Sequence, residues 1–173
     1  GYKSLDSLMK QPVEHSRDED FMPRERYDGR ITFENVNYSY PNQDSNAIEN
    51  ISFKVDSGER IALIGRVGSG KTTIGKLVTR LFLPQSGKIS IDGIDIRQLD
   101  PSEIRENIGY VSQEPWLIAG TIEQNISLGA TEIKSEDIIE AANISTASEF
   151  INKHNKGFKQ VLDERGEGLS GGQ

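Results

Sequence analysis

The chain of 173 residues carries a formal net charge of −7 and no cysteine. That length gives about one domain with room for a real core, while the absence of thiols excludes a disulfide framework, thiolate catalysis and a cysteine zinc cluster. The acidic balance argues against a nucleic-acid-binding surface, because phosphate backbones are held by basic fields, so any phosphate site must be local.

Residues 1–30 place Leu5, Leu8 and Met9 at helical spacing and continue as a charged, proline-broken stretch with little to bury. They read as a helix tail and linker leading into a domain. From residue 31, Ile31 and Phe33 alternate with polar residues, as do Ile51, Phe53 and Val55 beyond a polar, asparagine-rich loop. These predict antiparallel strands with one wet face. Ile61 to Ile64 are apolar without alternation. Such a run predicts a strand covered on both faces in a parallel sheet, where the core would begin.

After Gly70, Ile74, Leu77, Val78, Leu81 and Phe82 recur at helical spacing until Pro84. Ile89, Ile91, Ile94 and Ile96 then alternate around Asp92-Gly93, a dipeptide suited to a tight hairpin turn in which both residues need positive φ. Asp100, Pro101 and Glu103 supply an N-cap, a first-turn proline and a capping-box position before IGYVSQ, read as a second short buried strand. From Glu114 to about Lys156 the pattern is helical, with Thr146 and Glu149 as a further capping pair.

GRVGSGKT, residues 65–72, matches G-x-x-x-x-G-K-[ST] in full and sits between a strand and a helix. A triphosphate needs many donors at short range, and a loop poor in side chains can turn successive N–H groups onto it. Gly65, Arg66, Val67, Gly68, Ser69, Gly70, Lys71, Thr72 and Thr73 are therefore the candidate nucleotide-binding residues. Lys71 reaches the β- and γ-phosphates, and the Thr72 hydroxyl holds Mg²⁺. The helix beginning near Lys71 adds its positive end.

LSGGQ, Leu169 to Gln173, offers small groups and amides but no base or metal ligand. Together with the P-loop upstream it makes the chain resemble an ABC ATPase, whose signature sequence is LSGGQ. The resemblance implies a P-loop NTPase (RecA-like) α/β core with an antiparallel β subdomain and a helical subdomain. On that plan residues 31–60 form the antiparallel part, 61–113 the P-loop core, 114–168 the helical subdomain and 169–173 the signature. It further implies that Gln113, after the second buried strand, senses Mg²⁺ and the γ-phosphate, and that Tyr40 stacks on adenine, with Tyr38 as the alternative. Leu169, Ser170, Gly171, Gly172 and Gln173 would cap the nucleotide of a second domain in a head-to-tail dimer. DERGEG, residues 163–168, resembles the exporter segment that touches intracellular loops.

VLDE, residues 161–164, imitates the family's Walker B strand, but Lys159 and Gln160 interrupt the apolar run and the segment precedes LSGGQ. The expectation is thus an incomplete domain without Walker B, the later strands, the water-activating glutamate or the switch histidine, and hydrolytically incompetent alone. His15 and His154 lie in polar surroundings and read as solvated.

The resemblance is to exporter ATPases, most of all those of bacterial type I secretion. It implies ATP and Mg²⁺ as ligands and a membrane domain fused upstream of residues 1–30. It also implies a periplasmic adaptor and outer-membrane channel as further partners, no nucleic acid, and a place on the cytoplasmic face of the inner membrane. The function so implied is ATP binding and, in the complete dimer, hydrolysis powering export of a polypeptide. The alternatives are a lipid or small-molecule exporter, or a soluble ABC ATPase of translation or DNA repair.

Overall fold

The structure, a computed structural model, describes Asp6, Met9 and residues 21–24, 26–43, 45–113, 116–128, 130 and 132–163. The signature at 169–173, residues 164–168 of DERGEG, His15 and most of the linker lie outside the described residues. The chain divides into two compact units, Gly1–Tyr110 and Val111–Gln173. Together they make a mixed α/β fold with an antiparallel sheet in the first unit and short helices in the second.

In the first unit β1 (Ile31–Tyr38), β2 (Ile48–Val55), β3 (Ser86–Ile91) and β4 (Ile94–Asp95) form a sheet in the order β2-β1-β3-β4, with every pair antiparallel. Strict alternation would turn Val36 and Tyr38 away from the face that buries Phe33. Instead the register shifts between Phe33 and Val36, where Asn35 takes φ 48°, and all three side chains are buried. Asn50 in β2 does the same at φ 46°, between buried Ile48 and half-buried Ile51. Asparagine is the side chain that best tolerates this left-handed region, and one extra residue per strand returns the apolar set to the core. Opposite the first bulge, a Cβ on Gly87 would stand 2.3 Å from the Asn35 carbonyl, so β3 needs glycine there.

Helix α1 (Lys71–Val78) ends earlier than Leu81 and Phe82 imply. Arg80 adopts φ 53°, its amide donates to the Leu77 carbonyl and that of Leu81 to the Lys76 carbonyl, which is the Schellman stop. An arginine in place of the usual glycine is held there by a hydrogen bond from Nη1 to the Leu99 carbonyl and by the Phe21 ring, 5.1 Å from its guanidinium. Helix α2 (Pro101–Glu106) begins as expected, with Asp100 accepting from the Ser102 amide at 2.7 Å. Glu103 does not complete a capping box: its Oε2 is buried with no hydrogen-bond partner. Arg105 caps the far end of α1, donating to the carbonyls of Thr79 and Arg80. Leu77, Ile89, Ile96, Leu99 and Ile104 close the core against the sheet.

Two expectations fail here. Neither residues 61–64 nor IGYVSQ forms a strand, and neither is buried: Ile64 is 95% exposed and Val111 94%. A run without alternation reports burial on both faces only when neighbours flank it, and no described segment pairs with either stretch. A depression of about 480 Å³, between Ile51 and Phe53 on one side and residues 62–64 on the other, lies beside this unpaired run.

The second unit contains α3 (Ile122–Ile126), α4 (Ser135–Ile144) and α5 (Ser148–Ile151), with a ribbon of β5 (Gly120–Thr121) and β6 (Val161–Leu162). Its core is Ile122, Ala142, Ile151 and Leu162. The helical stretch is therefore broken into three, and the capping box lies at Thr121 and Gln124, where each side chain bonds the other's amide. Thr146 does not cap: it sits at φ 62° and donates its hydroxyl to the Ser145 carbonyl. Of VLDE, Val161 and Leu162 form a two-residue antiparallel ribbon strand, while Glu164 lies outside the described residues.

Asp92 ties the segment before β1 to the β3–β4 turn. It takes φ 52° and Gly93 φ 86°, with Ile91 facing Ile94, as the dipeptide predicted. Its carboxylate accepts from the amides of Asp28 at 2.9 Å and Arg30 at 2.8 Å and pairs with Arg24 at 3.7 Å. Burial works to raise its pKa. The amides of Arg30, Asp28 and Gly29 and the Arg24 guanidinium outweigh it and hold the carboxyl below the usual range. A pKa lowered by folding contributes stability above the unfolded value of about 3.9, and that contribution is lost as pH falls through the folded value. Asp92→Asn should cost about 2 kcal/mol at neutral pH in urea unfolding, and the gap to the parent should shrink on acidification below about pH 4.

Candidate functional site

The motif residues form a turn and the first turn of a helix. The Ser69 amide donates to the Arg66 carbonyl at 3.2 Å, Gly68 takes φ 82° and Gly70 φ 86°, and α1 starts at Lys71. The Ile74 amide makes the first helical bond, to the Gly70 carbonyl at 3.0 Å. The amides of Lys71, Thr72 and Thr73 precede it, and no side chain caps them and no acid stands in the first turn. A helix start left without an acceptor is complementary to an anion.

Lys71 Nζ folds back over the loop, donating to the carbonyls of Gly65 at 2.8 Å and Arg66 at 2.7 Å and to Ser69 Oγ at 3.2 Å. Its ammonium is held by neutral acceptors, and among the described residues no carboxylate pairs with it.

Above the loop opens a cleft of about 300 Å³ lined by Tyr40, Gln43, Ser45, Asn46, Ala47 and residues 68–73. Gly68, Ser69, Gly70, Lys71, Thr72, Thr73 and Tyr40 are thus brought together. Gly65 and Arg66 contribute the carbonyls under Lys71 and do not line the cleft, and the Val67 side chain is fully exposed. Gln113 is exposed and belongs to the second unit.

The two tyrosines differ in packing. Tyr38 is 5% exposed and stacks on Phe82 at 5.3 Å, and burial, then the neighbouring Tyr40, pushes its phenol above the ordinary value. Tyr40 meets both rings edge-on and reaches the cleft. Its hydroxyl shares a hydrogen bond of 3.0 Å with Thr73 Oγ1, and Lys76 Nζ lies 5.7 Å from its ring centroid. Thr73 is buried, so the ring is locked to the first turn of α1.

Gln43, Ser45, Asn46 and Ala47 were not among the sequence candidates. Their only signal was a place in the polar loop after Tyr40; the fold brings them in by seating Gly70 against the start of β2. No acidic residue lines the cleft among the described residues. The lining can hold a polyanion and a ring, and Thr72 can offer a hydroxyl to Mg²⁺, but among the described residues it has no carboxylate to take a proton from a water.

The sequence model of the ABC transporter family matches residues 48–173. The chain is 42% identical over 154 residues to the mitochondrial potassium channel ATP-binding subunit of Rattus norvegicus, an alignment covering 88% of the chain and 22% of that protein. It is 37% identical over 169 residues to the alpha-hemolysin translocation ATP-binding protein HlyB of Escherichia coli O157:H7, covering 98% of the chain and 24% of the relative. The chain therefore spans about a quarter of the length of these relatives. The solved structure of a bacterial Atm1-family ABC exporter with ATP bound superposes with a TM-score of 0.88 at 31% identity, over 99% of this chain and 30% of that one.

The two positive-φ glycines of the cleft separate backbone strain from contact. A Cβ on Gly68 meets nothing, whereas one on Gly70 would stand 2.4 Å from the Ala47 carbonyl and 2.7 Å from Ile48 Cδ1. In chemical denaturation Gly68→Ala should cost about 1 kcal/mol and Gly70→Ala about 3 kcal/mol. Equal costs would show that Gly70 is not pinned against β2.

Proposed function

The chain belongs to the ABC transporter family, and from that premise we propose that its cleft binds Mg·ATP and that the protein is the ATP-hydrolysing part of a membrane exporter. The observation that carries the reading is the cleft itself. Tyr40 lines it together with uncapped helix amides and an ammonium that, among the described residues, pairs with no carboxylate.

In this reading the amides of residues 68–73 and Lys71 hold the β- and γ-phosphates, Thr72 Oγ1 holds Mg²⁺, and Tyr40 stacks on adenine. When bound, Mg²⁺ supplies charge neutralisation at the β- and γ-oxygens. Lys71 exchanges loop carbonyls for phosphate oxygens, a swap of neutral for charged acceptors that strengthens its bonds. Gln113 senses Mg²⁺ and the γ-phosphate. Leu169–Gln173 cap the nucleotide of a second domain in a head-to-tail pair, with residues 1–30 joining the domain to a fused membrane part.

For the cargo, the 37% identity to a hemolysin translocation protein supports polypeptide export. The 42% identity to a potassium channel subunit and the likeness to an Atm1-family exporter keep other cargoes in view. A periplasmic adaptor, an outer-membrane channel and the cytoplasmic face of a bacterial inner membrane belong to the polypeptide reading.

Calorimetric titration with Mg·ATP tests the site. Lys71→Ala should abolish binding. Tyr40→Ala should weaken it by about 1–3 kcal/mol, the worth of a base-stacking aromatic. Tyr38→Ala should lower stability and leave the affinity of the folded fraction unchanged. Unchanged binding in Lys71→Ala refutes the assignment, and the reverse tyrosine pattern moves the stack to Tyr38.

The shared-site arrangement has its own test in the full-length protein. Mixed Lys71→Ala and Ser170→Arg subunits place both lesions at one site of a heterodimer and none at the other. ATPase activity should return on mixing two inactive parents; heterodimers without activity would refute capping in trans.

A further inference from the structure

We infer that Lys76, a side chain outside the phosphate motif, is a positioning residue for the base: its ammonium lies over the Tyr40 ring and sets how tightly that ring stacks. The inference rests on the nucleotide reading above and deepens it, and it does not require Lys76 to touch the nucleotide.

Thr73 and Lys76 stand three residues apart in α1, so they share one face of that helix. Tyr40 is fastened to the same face by the 3.0 Å hydrogen bond between its hydroxyl and Thr73 Oγ1. Helical side chains lean toward the N-terminus of their helix, which carries the end of Lys76 back over the ring. Its Nζ lies 5.7 Å from the Tyr40 centroid and 5.9 Å from that of Phe82, two rings that meet at 86°. Both distances are within reach of a cation–π attraction. Among the described residues the ammonium makes no ion pair or hydrogen bond, so these two rings are its partners. Tyr40 lines the cleft and Lys76 does not. An effect of Lys76 on a ligand therefore passes through the ring.

Two physical effects follow from a cation in that place. One hydroxyl bond leaves a ring free to pivot; a second anchor orders it before the base arrives and lowers the entropy cost of binding. The cation also draws π density toward itself, which makes the ring a better partner for an electron-rich purine. Lys76 stands in the last turn of α1, where a positive charge favours the helix dipole as well. That role needs no aromatic ring and would serve every ligand of the helix alike.

The test is competition binding on the full chain with Mg·ATP and Mg·tripolyphosphate. Lys76→Met keeps an unbranched, helix-favouring side chain and removes the charge. It should weaken ATP about threefold, the worth of one cation–π contact at a partly exposed site, and leave tripolyphosphate unchanged. Lys76→Arg, which keeps a cation over the ring, should bind ATP as the parent does. In a Tyr40→Ala background Lys76→Met should change nothing further. The inference falls if Lys76→Met binds ATP as tightly as the parent, if it weakens ATP and tripolyphosphate alike, or if its effect persists without the Tyr40 ring. A loss that Lys76→Arg fails to restore overturns it too. If neither ligand binds the parent, or if Tyr40→Ala binds ATP unchanged, the nucleotide reading itself fails and takes this inference with it.

Discussion

The contact between Gly70 and the start of β2 is the constraint on which the cleft depends. Gly70 is the N-cap of α1, sits at φ 86°, and touches the Ala47 carbonyl and the Ile48 side chain. It thereby joins a loop with almost no side chains to a sheet whose position is set by a buried core. Without that contact the loop would still be glycine-rich and the helix would still have an uncapped start. Neither would stand opposite Tyr40. The hydrogen bond from Tyr40 to Thr73 closes the same arrangement from the other side, so ring and helix start are tied together by two independent contacts.

Electrostatics within the loop follow from what surrounds Lys71. Its three acceptors are two carbonyls and a hydroxyl, all neutral. A carboxylate in their place would satisfy the ammonium and leave nothing for an anionic ligand. Carbonyls hold the side chain in position and leave its charge uncancelled, and the open amides of α1 add to the same field. An overall acidic protein can in this way carry a strongly anion-attracting site, because the relevant charges are all within one helical turn.

The bare apolar stretch next to the motif makes the opposite point. Ile61, Leu63, Ile64 and Val111 expose side chains that the unbroken apolar pattern predicts to be covered. The sheet of the first unit satisfies its own ladder through β1 to β4 and does not extend to them. Stability of this unit therefore rests on the antiparallel sheet and on what packs over it. Asp92 adds an electrostatic tie on the strap before β1, and Arg105 adds one at the C-terminal end of α1.

By itself the sequence determined the features that reside in consecutive residues: the glycine loop before an amphipathic helix, the Asp92-Gly93 turn and the Asp100 cap. These are local because φ preferences, caps and short hydrogen bonds act within a few residues. The two neighbouring tyrosines look alike in the sequence; only packing makes Tyr38 buried and leaves Tyr40 half-buried at the cleft. Tertiary structure alone decided the bulges at Asn35 and Asn50, the early stop of α1 at Arg80, the break-up of the helical stretch and the bareness of residues 61–64. It also brought Gln43, Ser45, Asn46 and Ala47 to the cleft. Each of these depends on a partner distant in sequence, a facing strand, a receiving carbonyl or a covering layer, and periodicity along one segment carries no information about whether that partner is there.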